Sequence, residues 1–566
     1  HLRLGVKERV DWRGRVLEPL DEDGARQAIS TLKDQGVESY AVSLLFSFLN
    51  NSHEERLKEL INDIHPQAHV SLSSEVLPEI REYERTSTTT ISAMASPVVG
   101  EYIARLRREL SGLGVKTPLK IIKSNGGVMT AEAAAGKVVD MFESGPAGGL
   151  VAAGHLGRVL GLEDIITLDM GGTTTDVGII SHGSPVYCME KDIEWNIPIR
   201  VPMFDISSIG AGGGSVGWVD KGGALNVGPR SAGADPGPVC YGRGGQEPTV
   251  TDANLVLGRL NPDNFLGGQM AVDLDSARQA LADRIGRSFG WDAVRAASAV
   301  FSIACANMGH LLNERTIMQG LDPRDFTLVV YGGSGGLFAG RLAAEAGLPR
   351  VIIPRHPAAF SALGCLLADT KYDYVRSFLE DTRGLDMARL NTLLEGLSAQ
   401  AAQDLSLEES TVEPDYSRFL DLRYSGEFYE ITVPFTFNGQ AARADLEAAI
   451  DRFHQEHERL YGLKRPHQPV EMVNLRLRAT LPADKPDLCQ PLSAPAPDQT
   501  EPGSRQVFFE EETGFLDTPI HRREALPPGA TVQGPAIIEE PTSTTVIFPG
   551  QNGSLDQFGN IIITAA

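Results

Sequence analysis

Cysteine is scarce in this chain. Five residues (Cys188, Cys240, Cys305, Cys365, Cys489) are scattered over 566 positions, odd in number and without a C-x-x-C pair, which argues against a disulfide scaffold or a structural zinc knuckle. Positive charge is also in deficit. Lys and Arg number 51 against 74 Asp and Glu, a formal net charge of −23, and no lysine-arginine block offsets it locally. Such a field repels nucleic acid and anionic membrane surfaces, so neither is expected as a partner. No apolar run is long enough to span a bilayer, and no charged-then-apolar leader opens the chain. Solenoid-like repeats and low-complexity tracts are missing as well. Scattered thiols without a membrane segment suit a reducing cytoplasm. The rest of the composition, 42% hydrophobic and 22% charged, is that of a globular protein of several domains.

Strand and helix signals alternate along roughly the first two thirds. The run "VESYAVSLLF" predicts a buried strand, "NSHEERLKELINDIH" a helix, "ERTSTTTISAMASPVVGEYIARLRRELSGLG" a helix that ends on glycine, and "PLKIIKSNGG" a strand breaking into a turn. The pattern restarts near Asp164 with "DIITLDMGG", passes through β-rich segments to about Asp220, then through a long helical stretch from Ser276 to Gly320, and closes on "FTLVVYGGSGGLFAGRLAAEAGLPRVIIP". After about Lys371 the character changes. Pro-rich "LSAPAPDQTEPGS" and the strand candidates "DLRYSGEFYEITVPF", "MVNLRLRATL", "AIIEEPTSTTVIF" and "GNIIIT" surround one helix, "ADLEAAIDRFHQEHERLYG". The expectation is α/β in class: a first lobe over residues 1–160, a second over 161–370 and a separate, mostly β, domain over 371–566. The opening "HLRLGVKERVDWRGRVLEPL" reads like the middle of a longer sequence.

The stretch "LDMGGTTTDVGII", Leu168 to Ile180, carries the first chemistry. An acid at the end of a buried strand, then a Gly-Gly-Thr-Thr-Thr turn, lets backbone N–H groups and hydroxyls of Gly171, Gly172, Thr173 and Thr174 approach an anion closely, because glycine has no Cβ in the way. Phosphate fits that cradle. Asp169 is then positioned to hold a hydrated divalent cation, and Asp176 to orient water or fix the return strand. A plain glycine-threonine hairpin reads equally well in isolation. Two further glycine turns supply context. "FESGPAGGLVAAGHLG" sets Glu143, Ser144 and Gly145 ahead of a small-residue helix, and "VVYGGSGGLFAG" (with Gly332, Gly333 and Gly335) follows a strand and opens a helix whose amides can face a nucleotide.

These motifs in this order resemble the sugar-kinase, heat-shock-protein and actin-like ATPase superfamily. More narrowly, "REYERTSTTT", "SNGG", "ESGPAGG", "DMGGTTTDV", "GPRSAGADPGPVCYGRGG", "PTVTDAN", "DPRDFTLVVYGGSGG", "SALG" and "REALPPGATVQGPAIIEEPTSTT" resemble the hydantoinase A/5-oxoprolinase family over nearly the whole chain. The resemblance implies two actin-like (ribonuclease H-like) lobes plus a β-rich C-terminal domain, ATP with Mg²⁺ or another divalent metal, and a hydantoinase B-like partner subunit. It implies ATP-driven hydrolysis of a cyclic amide such as a hydantoin, 5-oxoproline or caprolactam. Carboxylation of a ketone and a non-catalytic, actin-like scaffold are the alternatives. Two departures from the family pattern stand out: no D-x-G-G-T-x-T-D loop precedes "HLRLG", and Gly335 is followed by Gly336, Leu337 and Phe338 where many relatives carry a histidine.

Other residues carry less. Asp235 and Cys240, in the rigid "GPRSAGADPGPVCYGRGG" block, are candidates to join Asp169 in a metal site, although a lone cysteine is more often a small packed hydrophobe. "GAGGGS" (Gly210 to Ser215) reads either as a phosphate contact or as a flexible loop. His454 and His457 read as a solvated helix face, His310 as an ordinary helix histidine, and Glu539 with Glu540 as an exposed turn or edge.

Overall fold

The apolar run IITLDM reads as a strand buried on both faces, and Ile165–Met170 is one, with Ile165, Ile166, Leu168 and Met170 fully buried. The computed structural model describes residues 2–406, 412–486, 491, 502–512 and 514–565; Cys489 and most of the proline-rich segment 492–504 lie outside them. By its contacts the chain divides into two discontinuous units. The first takes His1–Ser144, Tyr187–Met203 and Ala368–Asp484, the second Gly145–Val186, Phe204–Leu367 and Lys485–Ala566.

In the first unit a six-stranded sheet runs in the order Ile431–Pro434, Asp415–Tyr424, Val470–Leu481, Thr370–Asp381, Val128–Thr130, Lys120–Ile122. Val470–Leu481 is central because its neighbours pair with it along nearly its full length, Leu475 lying opposite both Arg376 and Leu420. Two of the helices that pack against this sheet share its main core. Arg443–Tyr461 is the expected one, ended by Gly462 in the left-handed region at φ 72°. Met387–Ser406 was not anticipated, although Leu390, Leu394, Leu397 and Ala401, all buried in one core with Leu420 and Leu475, repeat at helical spacing.

The histidine pair departs from expectation too. His454 and His457 continue the buried stripe of Leu446, Ala449 and Phe453 and do not face solvent. The Tyr424 hydroxyl and His454 Nδ1 share a hydrogen bond of 2.8 Å, and His457 Nδ1 donates to the Leu463 carbonyl at 2.7 Å. Polar atoms satisfied inside a core explain how both rings are tolerated there. Burial also pulls the His454 pKa down, which keeps its ring neutral.

The second unit holds a nine-stranded mixed sheet. Its order is Ile206–Ile209, Thr175–Ser181, Ile165–Met170, Thr327–Tyr331, Val351–Ile353, Ile561–Ala565, Gln551–Leu555, Thr531–Gln533, with Ser184–Pro185 appended to Thr175–Ser181. The three strands Ile165–Met170, Thr327–Tyr331 and Val351–Ile353 are parallel neighbours; Thr175–Ser181 returns antiparallel, so that Asp169 and Asp176 lie directly opposite each other. The last strand, Ile561–Ala565, pairs with Val351–Ile353 inside this sheet. The helical stretch expected over 276–320 is broken: Gly290, at φ 69°, ends the first part and Asp292 caps Ala293–Ile317 through the Arg295 amide. Small residues do what their pattern suggests in the helix Ser144–Leu160. A Cβ on Gly148 would stand 2.5 Å from the Ser361 carbonyl oxygen, so this helix and Phe360–Leu367 meet backbone to backbone.

Among the described residues no helix is long and apolar enough to cross a membrane.

Candidate functional site

Asp169 leaves the sheet at the end of its strand, where the chain turns through Gly171 and Gly172 before returning at Thr175. The Ser361 hydroxyl donates to Asp169 Oδ2 at 2.8 Å. Burial is the main influence on this carboxyl and pushes its pKa up; the Ser361 hydrogen bond opposes that and the facing Asp176 reinforces it, leaving it at about 6. Gly332, at φ 82°, closes the other side: a Cβ there would stand 2.7 Å from Asp169 Oδ1. Only glycine tolerates both that backbone angle and that proximity.

Three glycine segments interlock around the tip. Gly213 donates its amide to the Gly171 carbonyl at 3.0 Å and Gly214 to that of Gly172 at 2.6 Å. Ser334 in the second turn donates its amide to Met170 at 3.2 Å, while the amide and hydroxyl of Thr251 both reach the Gly213 carbonyl at 2.8 Å. Beside them opens a cavity of about 250 Å³, bordered by Gly171, Gly172, Gly213, Gly333 and Ser334 on one side and by Tyr241, Phe265 and residues 539–544 on the others. One end is bare backbone and hydroxyls; the other has aromatic rings, with Tyr241 and Phe265 at 5.7 Å between centroids. That suits a ligand with an anionic tail and a flat head.

Gly212→Ala tests the packing. Its Cβ would lie 2.6 Å from the Gly172 carbonyl carbon and the Thr173 amide, both backbone and unable to move aside cheaply. We expect the substitution to displace the tip and cost about 1–3 kcal/mol of stability, measurable by denaturant unfolding.

The residues singled out in the sequence fall unevenly around this cavity. Gly171, Gly172 and Gly333 border it. Thr173 is exposed at the tip, and the carbonyl of Thr174 accepts from the Gly171 amide at 3.1 Å. Gly335 is buried behind the turn, its missing Cβ leaving room for Val330. Gly145 opens the close-packed helix of the second unit. Glu143 and Ser144 belong to the first unit, where Glu143 forms an ion pair with Lys191. Asp235 is exposed, whereas Cys240 lies in the hydrophobic core, its amide donating to Asp252 at 2.7 Å. Burial and the Asp252 carboxylate push the Cys240 thiol far up, so it is held protonated, not as the thiolate a metal takes. Among the described residues no three or more His, Cys, Asp or Glu side chains gather to hold a metal ion; Asp169, Asp235 and Cys240 are not brought together in such a group. His310 is exposed on its helix.

Glu539 and Glu540 do not form an exposed edge. Glu539 is buried and accepts from Arg505 at 2.9 Å; Glu540 accepts from Arg523 at 2.8 Å and from the Ser543 hydroxyl at 2.7 Å. Both border the cavity, and their guanidinium partners make that burial tolerable. This wall, like Thr251, Asn254 and the Asp169 partner Ser361, was not assigned a role from sequence. The signal was present, since "PTVTDAN", "SALG" and "EEPTSTT" are motifs that have no chemistry until folding gathers them.

The geometry defines an α/β protein in which glycine turns and a late strand-turn-strand segment share one cavity, with the half-buried Asp169 on the strand that leads into the first turn. More particularly, the chain belongs to the hydantoinase/oxoprolinase family. The hydantoinase/oxoprolinase model matches residues 85–374, that of the family's C-terminal domain 379–563 and that of its N-terminal region 1–65. The chain is 36% identical to caprolactamase subunit alpha of Pseudomonas jessenii over 98% of its own length and 80% of that protein's, and 31% identical to the acetophenone carboxylase gamma subunit of Aromatoleum aromaticum over 100% and 79%. It is also similar in structure to the ATP-dependent caprolactamase from Pseudomonas jessenii (TM-score 0.85, 34% identity, 99% of this chain and 82% of that one) and to nucleotide-free acetone carboxylase (TM-score 0.83, 27% identity, 99% and 81%).

Proposed function

We propose that the chain is the ATP-dependent subunit of a cyclic-amide hydrolase of the hydantoinase, 5-oxoprolinase or lactamase type, which phosphorylates the substrate carbonyl for a hydantoinase B-like partner. The observation that carries this reading is the interlock of Gly171–Gly172, Gly213–Gly214 and Gly332–Ser334 beside Asp169. A lactam is resonance-stabilised, and its nitrogen is a poor leaving group. Attack of the amide oxygen on the γ-phosphorus of ATP, with ADP leaving, gives an O-phosphorylated amide; water adds at its carbon, the ring C–N bond breaks to leave an acyl phosphate, and a second water releases inorganic phosphate and the ring-opened acid.

The residues fit that nucleotide. The Gly171 and Gly213 amides are taken up within the interlock, so phosphate oxygens would meet the Gly172 backbone at the tip, and the Tyr241–Phe265 end is apolar enough for a base. A bound Mg²⁺ would supply charge neutralisation, with Asp169 as its protein carboxylate and phosphate oxygens and water completing its shell, the usual habit of that ion. Asp169 is poised for this, because a neighbouring cation returns its raised pKa to the ionised range. Asp176, opposite it, holds the return strand in register and adds negative charge that favours the cation.

The test is product analysis on the chain purified with its partner. With ATP and ε-caprolactam or hydantoin we expect ADP and a ring-opened acid in equal amounts. The similarity to acetophenone and acetone carboxylase subunits supports a second reading, ketone carboxylation. ADP release that requires a ketone and bicarbonate, and not a cyclic amide, would establish that reading and overturn the first.

A further inference from the structure

A second and roomier cavity is walled by residues other than those around Gly171. It lies wholly within the first unit, measures about 520 Å³ and takes its walls from Val201, Val375, Phe419, Ile431 and Leu477, with Arg200 and Arg476 in its lining. Behind those two arginines runs a buried ion-pair net. Glu79, 1% exposed, accepts from Arg200 Nε at 2.6 Å and from Arg476 at 2.7 Å; Arg476 Nε also donates to Asp421 at 2.8 Å, and Arg200 reaches Glu190 at 2.9 Å and Glu430. Asp421, fully buried, accepts in addition from Asn474 and Thr432, each at 2.7 Å. Arg478 pairs with Asp373 at 2.7 Å and lies over the Tyr187 ring, and Lys137 sits 3.8 Å from Asp140.

A net of this kind is a poor device for stability alone. Apolar side chains of the same volume would commonly serve as well or better, because each buried charge loses its hydration. Its placement at a roomy, otherwise apolar cavity is the arrangement of a ligand site, in which a few polar groups set orientation. Every guanidinium here already has a carboxylate. An anionic ligand would have to displace one of those acids, and a cationic one would meet Arg200, Arg476 and Arg478. A neutral ligand disturbs nothing. Three N–H groups of Arg200 serve Glu79, Glu190 and Glu430, and a guanidinium has five, so further donors remain to meet a carbonyl oxygen.

We infer that this cavity binds a compact, uncharged carbonyl compound, its carbonyl directed to Arg200 and Arg476 and its hydrocarbon ring to Val201, Val375 and Phe419. The inference rests on the cyclic-amide reading above and narrows it: neutral lactams and hydantoins are bound in preference to 5-oxoproline, whose carboxylate would meet three guanidiniums already paired with acids and, on the wall, only Lys137, which shares Asp140 with Lys123.

Binding is measured by saturation-transfer NMR and calorimetry on the full chain with its partner and without nucleotide, using ε-caprolactam, hydantoin and 5-oxoproline as probes. We expect the two neutral probes to bind at least about tenfold more tightly than 5-oxoproline, and Val375→Trp, which fills the cavity, to weaken them by about tenfold or more while leaving affinity for an ATP analogue unchanged. Leu460→Trp, at a half-exposed position of the same lining, serves should Val375→Trp fail to fold. Equal binding of 5-oxoproline overturns the charge argument. Unchanged lactam affinity in the tryptophan variant overturns the location, and no binding of either neutral probe overturns the site. Failure of the protein to bind the ATP analogue would instead strike the nucleotide reading, and leaves these outcomes interpretable because no nucleotide is present.

Discussion

Asp169→Asn should abolish ATP turnover in the reconstituted complex, by about a hundredfold or more, and at the same time make the nucleotide-free protein more stable. The two effects have one cause. Burial, reinforced by the facing Asp176, lifts the Asp169 pKa from its ordinary value of 3.8 to about 6, so the folded protein binds this proton more tightly than the unfolded chain does. Stability therefore falls as pH rises from about 4 to about 6 and stays lowered above that range. At pH 7 the carboxylate costs up to about 3 kcal/mol, which asparagine removes while keeping an acceptor for Ser361. Urea unfolding of both proteins between pH 4 and pH 8 checks the slope; Mg·ATP should then reverse the order by stabilising the wild type alone. A variant that turns over ATP normally would reduce this protein to a scaffold for its partner. An unchanged pH profile would mean that the carboxyl is solvated and not poised for a cation.

Arg476→Ala carries the second large effect. Removing the guanidinium leaves Glu79 and Asp421 buried without it, an expected loss of about 3–5 kcal/mol at pH 7. Burial alone would raise the pKa of both acids; Arg476, with Arg200 beside Glu79, outweighs it and holds both below the usual carboxylate range. Their contribution in the wild type is thus fully present above the ordinary carboxylate pKa and is lost as pH falls below it. In the variant burial of Asp421 is opposed by the hydrogen bonds from Asn474 and Thr432 and no longer by a neighbouring guanidinium, so the deficit should shrink on acidification from pH 7 to pH 5. A deficit that is the same at both values would mean that lost packing of the arginine stem, and not unpaired charge, is responsible.

Local pattern was enough for the elements around the site. The apolar run before Asp169, the run before Gly332 and the stripe that ends on Gly462 each announce a strand or helix by periodicity and a terminator. The helix Met387–Ser406 has an equally regular apolar stripe, which its β-rich neighbours in the sequence mask. Three features were beyond a linear reading. His454 and His457 are polar by type, and only the partners supplied by Tyr424 and Leu463 make their burial possible. Glu539 and Glu540 depend in the same way on Arg505 and Arg523. The third is connectivity: residues 371–566 look like a domain of their own, yet they are divided between the two units. Strand pairing at large sequence separation is a tertiary fact that alternation within a strand does not encode.

That pairing bears on how the chain is made. Thr531–Gln533, Gln551–Leu555 and Ile561–Ala565 complete the sheet that begins at Ile165, and Glu539 to Thr544 close the cavity beside Gly171. During synthesis the hairpin at Gly171 and Gly172 emerges long before the far wall of its cavity, and a chain halted short of Glu539 lacks that wall. A ligand held against every wall of that cavity must therefore wait until translation has run through this last segment.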